Sequence, residues 1–417
     1  MKLCIFEDNE YYKFEPLVFN RPVFDLRLGS FSLREIIAKK MNFDTYSLWC
    51  RDSLKDTLLY QNTAIKINKF EDDDYLFINA RINPYSDLLN NLTSEVERDI
   101  IFTNNEVILG AYLTRNFVKK NFQKPASFNK ELFQSLPSKN LEIDYFTYLW
   151  DLIYKNDLAI SQDYEIFFNQ TSTNQEIREN KSLYFLDRDS TLIAKSAKLG
   201  LNVVLDSSNG PVIIDDNANV MHNVVIYGPC YIGKNSLVKS NSTIYGGTTI
   251  GNFCKVAGEV SNSIFMDYSN KQHDGFLGHS YLGSWVNLGA GTITSNLKNN
   301  YSKIQVELSF GKVQTDLQFL GLLIGDHSKS AIGTRFNTST VVGFSSNIFG
   351  SGFTEKFIPS FAWGSIDSKD VYQLDKAVNV AKIVYARRNT EFSEKDYKLF
   401  LNVFNETVSI REKYGYK

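Results

Sequence analysis

The chain has 417 residues, enough for two or three domains and a sizeable core. Its 45 basic and 47 acidic residues leave a net charge of -2, which excludes a general nucleic-acid or membrane-surface binder and leaves room only for a local basic pocket. No apolar run approaches the roughly 18 residues of a membrane span, and the first residues carry no signal-like apolar core, so a cytoplasmic protein is expected.

The first elements alternate between strand and helix. Leu3-Cys-Ile-Phe6 has the composition of a short buried strand ending at Glu7-Asp8-Asn9. Residues 32–40 read as a helix, with Ser32 as N-cap, Glu35 three positions on, and Leu33, Ile36 and Ile37 on one face. Tyr75-Leu-Phe-Ile-Asn79 and Val107-Ile-Leu-Gly-Ala-Tyr-Leu113 are further strands, and the spacing of Ile143, Phe146, Leu149, Trp150 and Ile153 predicts a helix over 142–154. This alternation predicts an α/β domain over 1–186, with ligands at the C-terminal ends of its strands, near Glu7, Asp8 and Asn79.

From about residue 187 the text changes to short units of small residues. Ile214, Val220, Ile226, Ile232, Val238, Ile244, Ile250 and Val256 recur at a strict interval of six. A period of six fits neither a helix nor a strand pair; it predicts a parallel β-helix, here over 187–366. The rhythm slips by two across 257–276 and resumes at Phe276, Leu282 and Leu288. In that slip stands Asn270-Lys-Gln-His273-Asp-Gly-Phe-Leu-Gly-His279, followed by Asn287-Leu-Gly-Ala-Gly-Thr-Ile-Thr-Ser-Asn296. Residues 302–315 alternate and turn at Phe310-Gly-Lys312, which predicts a hairpin projecting from the prism. The tail, 367–417, has helical spacing from Ser368, with breaks at Arg387-Arg388 and Ser393-Glu394. The four cysteines, Cys4, Cys50, Cys230 and Cys254, form no CxxC pair, so neither a zinc site nor a disulfide framework is expected. All four histidines, His222, His273, His279 and His327, lie in the second half, where neutral-pH proton transfer is therefore concentrated.

Hexads alone serve acyltransferases, carbonic anhydrases and structural solenoids alike. Gly228-Pro-Cys-Tyr-Ile-Gly, Gly251-Asn-Phe, Asn270-Lys-Gln-His273 and the segment ending at Asn296 go further. They resemble the acetyltransferase half of the bifunctional UDP-N-acetylglucosamine diphosphorylase / glucosamine-1-phosphate N-acetyltransferase family, and the chain looks like a divergent member. The resemblance implies a nucleotidyltransferase-like, Rossmann-like α/β domain, then a left-handed β-helix, in a homotrimer. It implies acetyl-CoA, a sugar phosphate and UTP as partners, with Mg2+ where the first domain is active. His273 aligns with the family's general base, and Asn287 and Asn296 with asparagines that hold the sugar. Lys239 falls where the family has an arginine on the sugar phosphate. Phe276 replaces a substrate-contacting tyrosine, and Ala257 replaces a phosphate-binding lysine, with Lys255 or Lys271 as alternatives for that role. Lys329 and Arg335 are the basic residues that could meet coenzyme A phosphates. In the first domain the family's glycine-rich loop is replaced by Glu7-Asp-Asn-Glu-Tyr11, and its Gly-Asp metal ligand by Asn79-Ala80. There Arg21 and Arg27 are the candidates for phosphates and Asp8 for magnesium.

The residue types suit the chemistry. Acetyl transfer to an amino sugar needs a base near neutral pH to take the amine proton, and histidine supplies one. Backbone N–H groups of the Gly-Ala-Gly turn, or a side-chain amide, could hold the tetrahedral oxyanion. Two other readings stay open: a sugar-1-phosphate nucleotidyltransferase whose β-helix mainly trimerises it, and a catalytically silent scaffold. Asn287 and Asn296 could equally belong to asparagine ladders, and His222, His279 and His327 read as structural.

Overall fold

The computed structural model describes residues 1–62, 64–92, 97–122, 130–170 and 182–417. The N-terminal part is built on a seven-stranded sheet in the order Lys66–Ile67, Tyr46–Trp49, Lys2–Phe6, Tyr75–Asn79, Val107–Leu113, Ile100–Asn104, Ser138–Asn140. The first four strands run parallel; Val107–Leu113 is antiparallel to both neighbours. Strand alternation splits its side chains: Leu3 and Ile5 join the larger core, whereas Cys4 and Phe6 join an aromatic layer with Trp49, Tyr75 and Phe77. The helix Leu33–Lys40 begins at Ser32, whose N–H and hydroxyl both donate to the Glu35 carboxylate, as the capping pattern predicts.

One helix starts later and runs further than the apolar spacing predicts. It spans Leu149–Gln170. Residues 142–148 are extended instead, because Asn83 N–H donates to Asp144 O and Phe146 N–H to Arg81 O, which draws this segment alongside the end of the central strand. Asp151 then accepts the Thr147 and Tyr148 N–H groups at 2.7 and 2.9 Å, which fixes where the helix starts.

The hexads build a left-handed β-helix with three sheet faces. Face 1 runs from Leu183–Leu186 to Phe276–Gly278, face 2 from Thr191–Ile193 to Phe357–Ile358, and face 3 from Lys198–Leu199 to Ala362–Ser365. All eight aliphatic residues of the strict repeat are fully buried inside the prism. The phase slip is distributed rather than single. Val256 to Val260 is four residues and Val260 to Phe265 five, so the interior series continues Val260, Phe265, Lys271, Leu277, Leu282, Leu288. The inward residue is thus Leu277; Phe276, expected to resume the rhythm, points outward and is half-buried. Residues 305–308 and 311–314 form the expected hairpin.

The faces are covered unequally. The outward residues of face 2, among them Tyr231, Ile264, Tyr281, Leu323, Val341 and Phe357, are buried against the N-terminal sheet, the helix Leu149–Gln170 and the hairpin. Asn156 on that helix bridges the parts, accepting from Gly29 N–H at 2.8 Å and donating to Gly247 O at 2.9 Å. Gly29 has φ +62°, and a Cβ there would meet the Asp163 carboxylate at 2.4 Å, so glycine is required at this contact. The tail departs from its helical expectation at the start: Ser368–Val371 is a strand antiparallel to Ala362–Ser365. Helices Leu374–Ala386, Glu394–Glu406 and Val408–Lys413 follow, the first ending at Arg387-Arg388 and the second capped by Ser393. None of the described helices is long and apolar enough to cross a membrane.

Because the prism interior is one residue wide per face, a single truncation cannot be refilled by neighbours. Ile250→Ala is expected to cost about 2–5 kcal/mol, whereas Ile332→Ala, at a residue 80% exposed, should stay within about 0.5 kcal/mol in denaturant unfolding.

Candidate active site

His273 stands at the corner where face 3 passes to face 1, between Asn270–Lys271 and Phe276–Gly278, and its side chain is exposed. One coil further on, the same corner is made by Gly289-Ala-Gly-Thr292, and a Cβ on Gly275 would meet Thr292 O at 2.2 Å. The structure therefore brings the imidazole-bearing turn directly under the Gly-Ala-Gly turn.

Asn287 lies on face 3 in register between Asn270 and Lys329. It lines a pocket of about 310 Å³ with Asn270, Gln272, Lys255 and Lys329, closed by Arg387 and Arg388 at the end of helix Leu374–Ala386. Gln272 is the immediate neighbour of His273, so this pocket opens beside that corner. Arg388 donates to Asn270 Oδ1 at 2.9 Å. Burial, then the positive charges of Arg388, Arg387 and Lys239, hold the Lys255 ammonium below its ordinary value. Burial holds Lys329 down to about 8. Several cations with so little opposite charge favour an anionic ligand. Lys239 belongs to this cluster through Lys255. Sequence reasoning missed Arg387 and Arg388, which were legible only as a helix end; their place over face 3 depends on the tail folding back.

Lys271, an alternative for phosphate binding, is instead sealed inside the prism, in register between Val256 and Leu288 and 1% exposed. A strand side chain alternates, and the interior phase falls on this lysine. Asn296 and His279 occupy another corner, between faces 1 and 2. Asn296 Nδ2 lies 3.0 Å from His279 Nδ1, and the Phe276 ring and the Asn296 amide both lie over Gly278. His279 is packed by Phe319 and Tyr154, and burial holds its imidazole down to about 4. Within one chain, then, Asn287 and Lys239 are brought toward the His273 corner, whereas Asn296 and Phe276 are not. Arg335 lies elsewhere, against Phe353.

The N-terminal candidates divide as well. Asp8 and Asn79 meet at the C-terminal end of the sheet, beside a pocket of about 390 Å³. Asn79 donates to Asp8 at 2.8 Å, and Arg81 reaches both carboxylate oxygens, by Nε at 3.1 and 3.0 Å and by Nη2 at 2.6 Å. Magnesium requires near-octahedral oxygen ligands. The Asp8 carboxylate is already taken by a guanidinium, and among the described residues no cluster of three or more His, Cys, Asp or Glu could hold a metal ion. These residues do not fit the ion. Arg21 and Arg27 leave this pocket altogether: Arg21 pairs with Asp326, and Arg27 with Asp267 at 2.9 Å, both on the prism.

The profile of the sugar nucleotidyl transferase family matches residues 3–172, and that of the bacterial transferase hexapeptide, six repeats, matches residues 211–246. An uncharacterized acetyltransferase of Escherichia coli, YaiX, is 32% identical over 168 residues, covering 40% of this chain and 73% of that protein. The chain belongs with this acetyltransferase family, and its repeats follow a sugar nucleotidyl transferase domain. It resembles the bifunctional protein GlmU of Methanococcus maripaludis, 32% identical over 23% of each chain. It also resembles a bifunctional sugar-1-phosphate nucleotidylyltransferase/acetyltransferase of Sulfurisphaera tokodaii, 30% identical over 34% of this chain and 35% of that one. The chain thus matches about a quarter to a third of the length of these bifunctional relatives.

Two outcomes follow from the buried polar groups. Arg81→Met strands the Asp8 carboxylate and should cost about 3–5 kcal/mol in urea unfolding, with part recovered in the Arg81→Met/Asp8→Asn double variant. His279 has its folded value below the unfolded 6.5, so the unfolded state binds the extra proton. The stability it contributes is present above pH 6.5 and is lost as pH falls through about 4. Thermal scans over this window should show a shallower fall for His279→Asn, a substitution chosen because His279 has φ +47°.

Proposed function

We propose that the prism transfers an acetyl group from acetyl-CoA to the amine of glucosamine 1-phosphate or a closely related amino-sugar phosphate, with His273 as the general base. The observation that carries this reading is the meeting, at one corner, of an exposed imidazole, the Gly-Ala-Gly turn and a cationic pocket containing Asn287. In this reaction the free amine attacks the thioester carbonyl. His273 takes the proton from the attacking nitrogen as the carbon–nitrogen bond forms and gives it to the sulfur as the carbon–sulfur bond breaks, so that coenzyme A leaves as the thiol. Lys255, Lys239 and the paired arginines would hold the phosphate, and Asn287 the sugar. The family's acetyltransferase relatives support the acyl donor.

A homotrimer is part of this reading. Among the described residues Tyr184, Leu186 and Tyr245 on face 1, and Ile293 on the strand that follows it, are 55, 47, 39 and 46% exposed, an apolar strip suited to a second copy. Transfer of the uridylyl group of UTP onto the phosphate of the acetylated sugar, with release of pyrophosphate and formation of UDP-N-acetylglucosamine, is the second reaction in the family's repertoire. The pocket beside Asp8 is where it would occur, but with Asp8 held by Arg81 the acetyl transfer is the reaction this geometry supports best.

The test is release of thiol from acetyl-CoA in the presence of glucosamine 1-phosphate. His273→Ala should lower kcat by about 10²–10⁴-fold while Tm and oligomeric state stay unchanged, because the side chain is exposed. A variant that keeps the wild-type rate would remove His273 from the mechanism. Pyrophosphate release without thiol release would instead favour a nucleotidyltransferase with a trimerising β-helix.

A further inference from the structure

At most levels of the prism, the corner between faces 3 and 1 is tied by the backbone ladder. Lys239 N–H donates to Val256 O, Ala257 N–H to Lys271 O, Gly289 N–H to Ser330 O, and Thr243 N–H to Gly258 O. At the His273 corner these rungs stop. Residues 272–275 make no backbone–backbone hydrogen bond among the described residues. The turn has four residues, like 289–292 one coil on, but the corner one coil before it, Ala257-Gly258, has only two, so 272–275 overhangs a shorter turn. Something else must hold it.

The only hydrogen bond to the backbone of 272–275 among the described residues comes from inside the prism. Lys271 occupies an interior hexad position, between Val256 one coil before and Leu288 one coil after, where an apolar side chain is the rule. Its Nζ donates to Ala257 O at 2.8 Å and to His273 O at 2.8 Å. A Cβ on Gly258 would sit 2.9 Å from that Nζ, so the ammonium fills the inside of the corner and glycine is needed to admit it. A buried ammonium is costly unless its protons are bonded, and two carbonyls with the nearby Asp274 carboxylate offset that cost. The bond on His273 O is to the backbone of the residue whose imidazole is to act, so the lysine fixes the Cα from which that side chain projects.

We infer that Lys271 is the positioning residue of the His273 corner: its ammonium staples the overhanging turn to the shorter corner of the coil before it, and so sets where the imidazole stands under the Gly-Ala-Gly turn. The inference rests on the acetyl-transfer reading for its catalytic consequence, but not for the mechanical one. Lys271 is sealed from solvent. It acts through the backbone, in place of the missing ladder rungs.

Lys271→Met keeps the length and removes the ammonium; Lys271→Leu matches the residue one coil on and serves where the first variant does not fold. Both are tested in the full chain. Replacing an incompletely compensated buried charge by an apolar side chain should leave Tm unchanged or raised. Two readouts then separate positioning from mere stability. Brief subtilisin treatment, mapped by mass spectrometry, should cut within 272–275 about fivefold faster or more in the variants, since the turn loses the one hydrogen bond that its backbone accepts among the described residues. The kcat for thiol release should fall about tenfold or more, with KM for acetyl-CoA unchanged, because a displaced base loses orientation but not donor binding. Variants that keep both the wild-type resistance of the corner and the wild-type kcat would overturn the inference. So would a fall in kcat that follows lost Tm with no new cleavage in the corner. If the wild-type chain releases no thiol with any amino-sugar phosphate, the acetyl-transfer reading falls, and the cleavage comparison alone decides whether Lys271 holds the turn.

Discussion

No coil of the prism can bury its interior residue alone. Ile232 is covered only because Ile214 lies one coil before it and Ile250 one coil after, in register along a parallel ladder. This forces the chain to turn three times per coil, and many of these turns place one residue at positive φ. The residue at that position differs between corners, and the difference decides what each corner can do. Between faces 2 and 3 it is Asn217 and Asn235, then Phe253, Tyr268, Trp285 and His327. Bulky residues rarely adopt this conformation, and it costs about 1–2 kcal/mol each. Stacking works against that cost: Phe253 to Tyr268 to Trp285 are 4.8 and 4.1 Å apart with planes within 5°, and Tyr385 of the tail stacks on Trp285 at 4.3 Å. This corner is a closed aromatic column. Between faces 3 and 1 the series runs Asn202, Asn223, Asn241, then Gly258, Gly275, Gly291 and Gly333. Glycine at the last four levels strips side chains from the turn and leaves backbone groups accessible, which is the condition for an oxyanion to be met by N–H donors.

Coverage of the faces narrows the choice further. Face 2 is spent on the N-terminal part, whose larger core runs on without a break into the outward residues of Ile264, Tyr281 and Leu323. Face 3 is open except where the tail crosses it. That crossing is held by the aromatic column through Tyr385, and it delivers Arg387 and Arg388 above Asn270 and Asn287. The cationic pocket is therefore a joint product: Lys255 and Lys329 come from the hexads, and the two arginines from tail docking. A stack of rings at one corner sets the position of two guanidinium groups on the adjoining face.

Much of this was legible in the sequence, for reasons that can be named. The strict interval from Ile214 to Val256 has only one structural solution, and the capping pair Ser32 and Glu35 fixes a helix start locally. Failures came where tertiary contacts override spacing. Ile143 and Phe146 sit at helical intervals, yet Arg81 and Asn83 draw that segment out as an extended chain. Ser368–Val371 has an apolar end like a helix face, yet the last coil offers it an unpaired edge. Lys271 was the hardest residue to place. A lysine in a surface-rich motif reads as a substrate contact, and only the register between Val256 and Leu288 shows that it points inward. The placement of His273 at a corner was legible because it is set by local spacing, whereas the placement of Arg388 was not, being 118 residues from the Asn270 that receives it.

The arginines of the first domain show how guanidinium groups can be committed to contacts within the fold. A phosphate-gripping arginine must offer a pair of donors to a ligand that comes and goes. Arg21 and Arg27 instead point their terminal nitrogens at Asp326 and Asp267 on the prism, with side chains 12 and 10% exposed. Arg27 also donates to Ser30 O, and its backbone is clasped by the Tyr281 hydroxyl. Replacing such pairs by apolar residues is often neutral or stabilising, so their presence is poor evidence of stability gained. Their effect is better understood as register. Each guanidinium has a single carboxylate partner on a particular coil, and sliding the loop along face 2 would leave a charge unpaired at low dielectric. The loop carrying Arg21 and Arg27 is thereby fixed against the coils that carry Asp267 and Asp326. Asp267 lies three residues before Asn270, so the same loop steadies the chain that leads into the His273 corner.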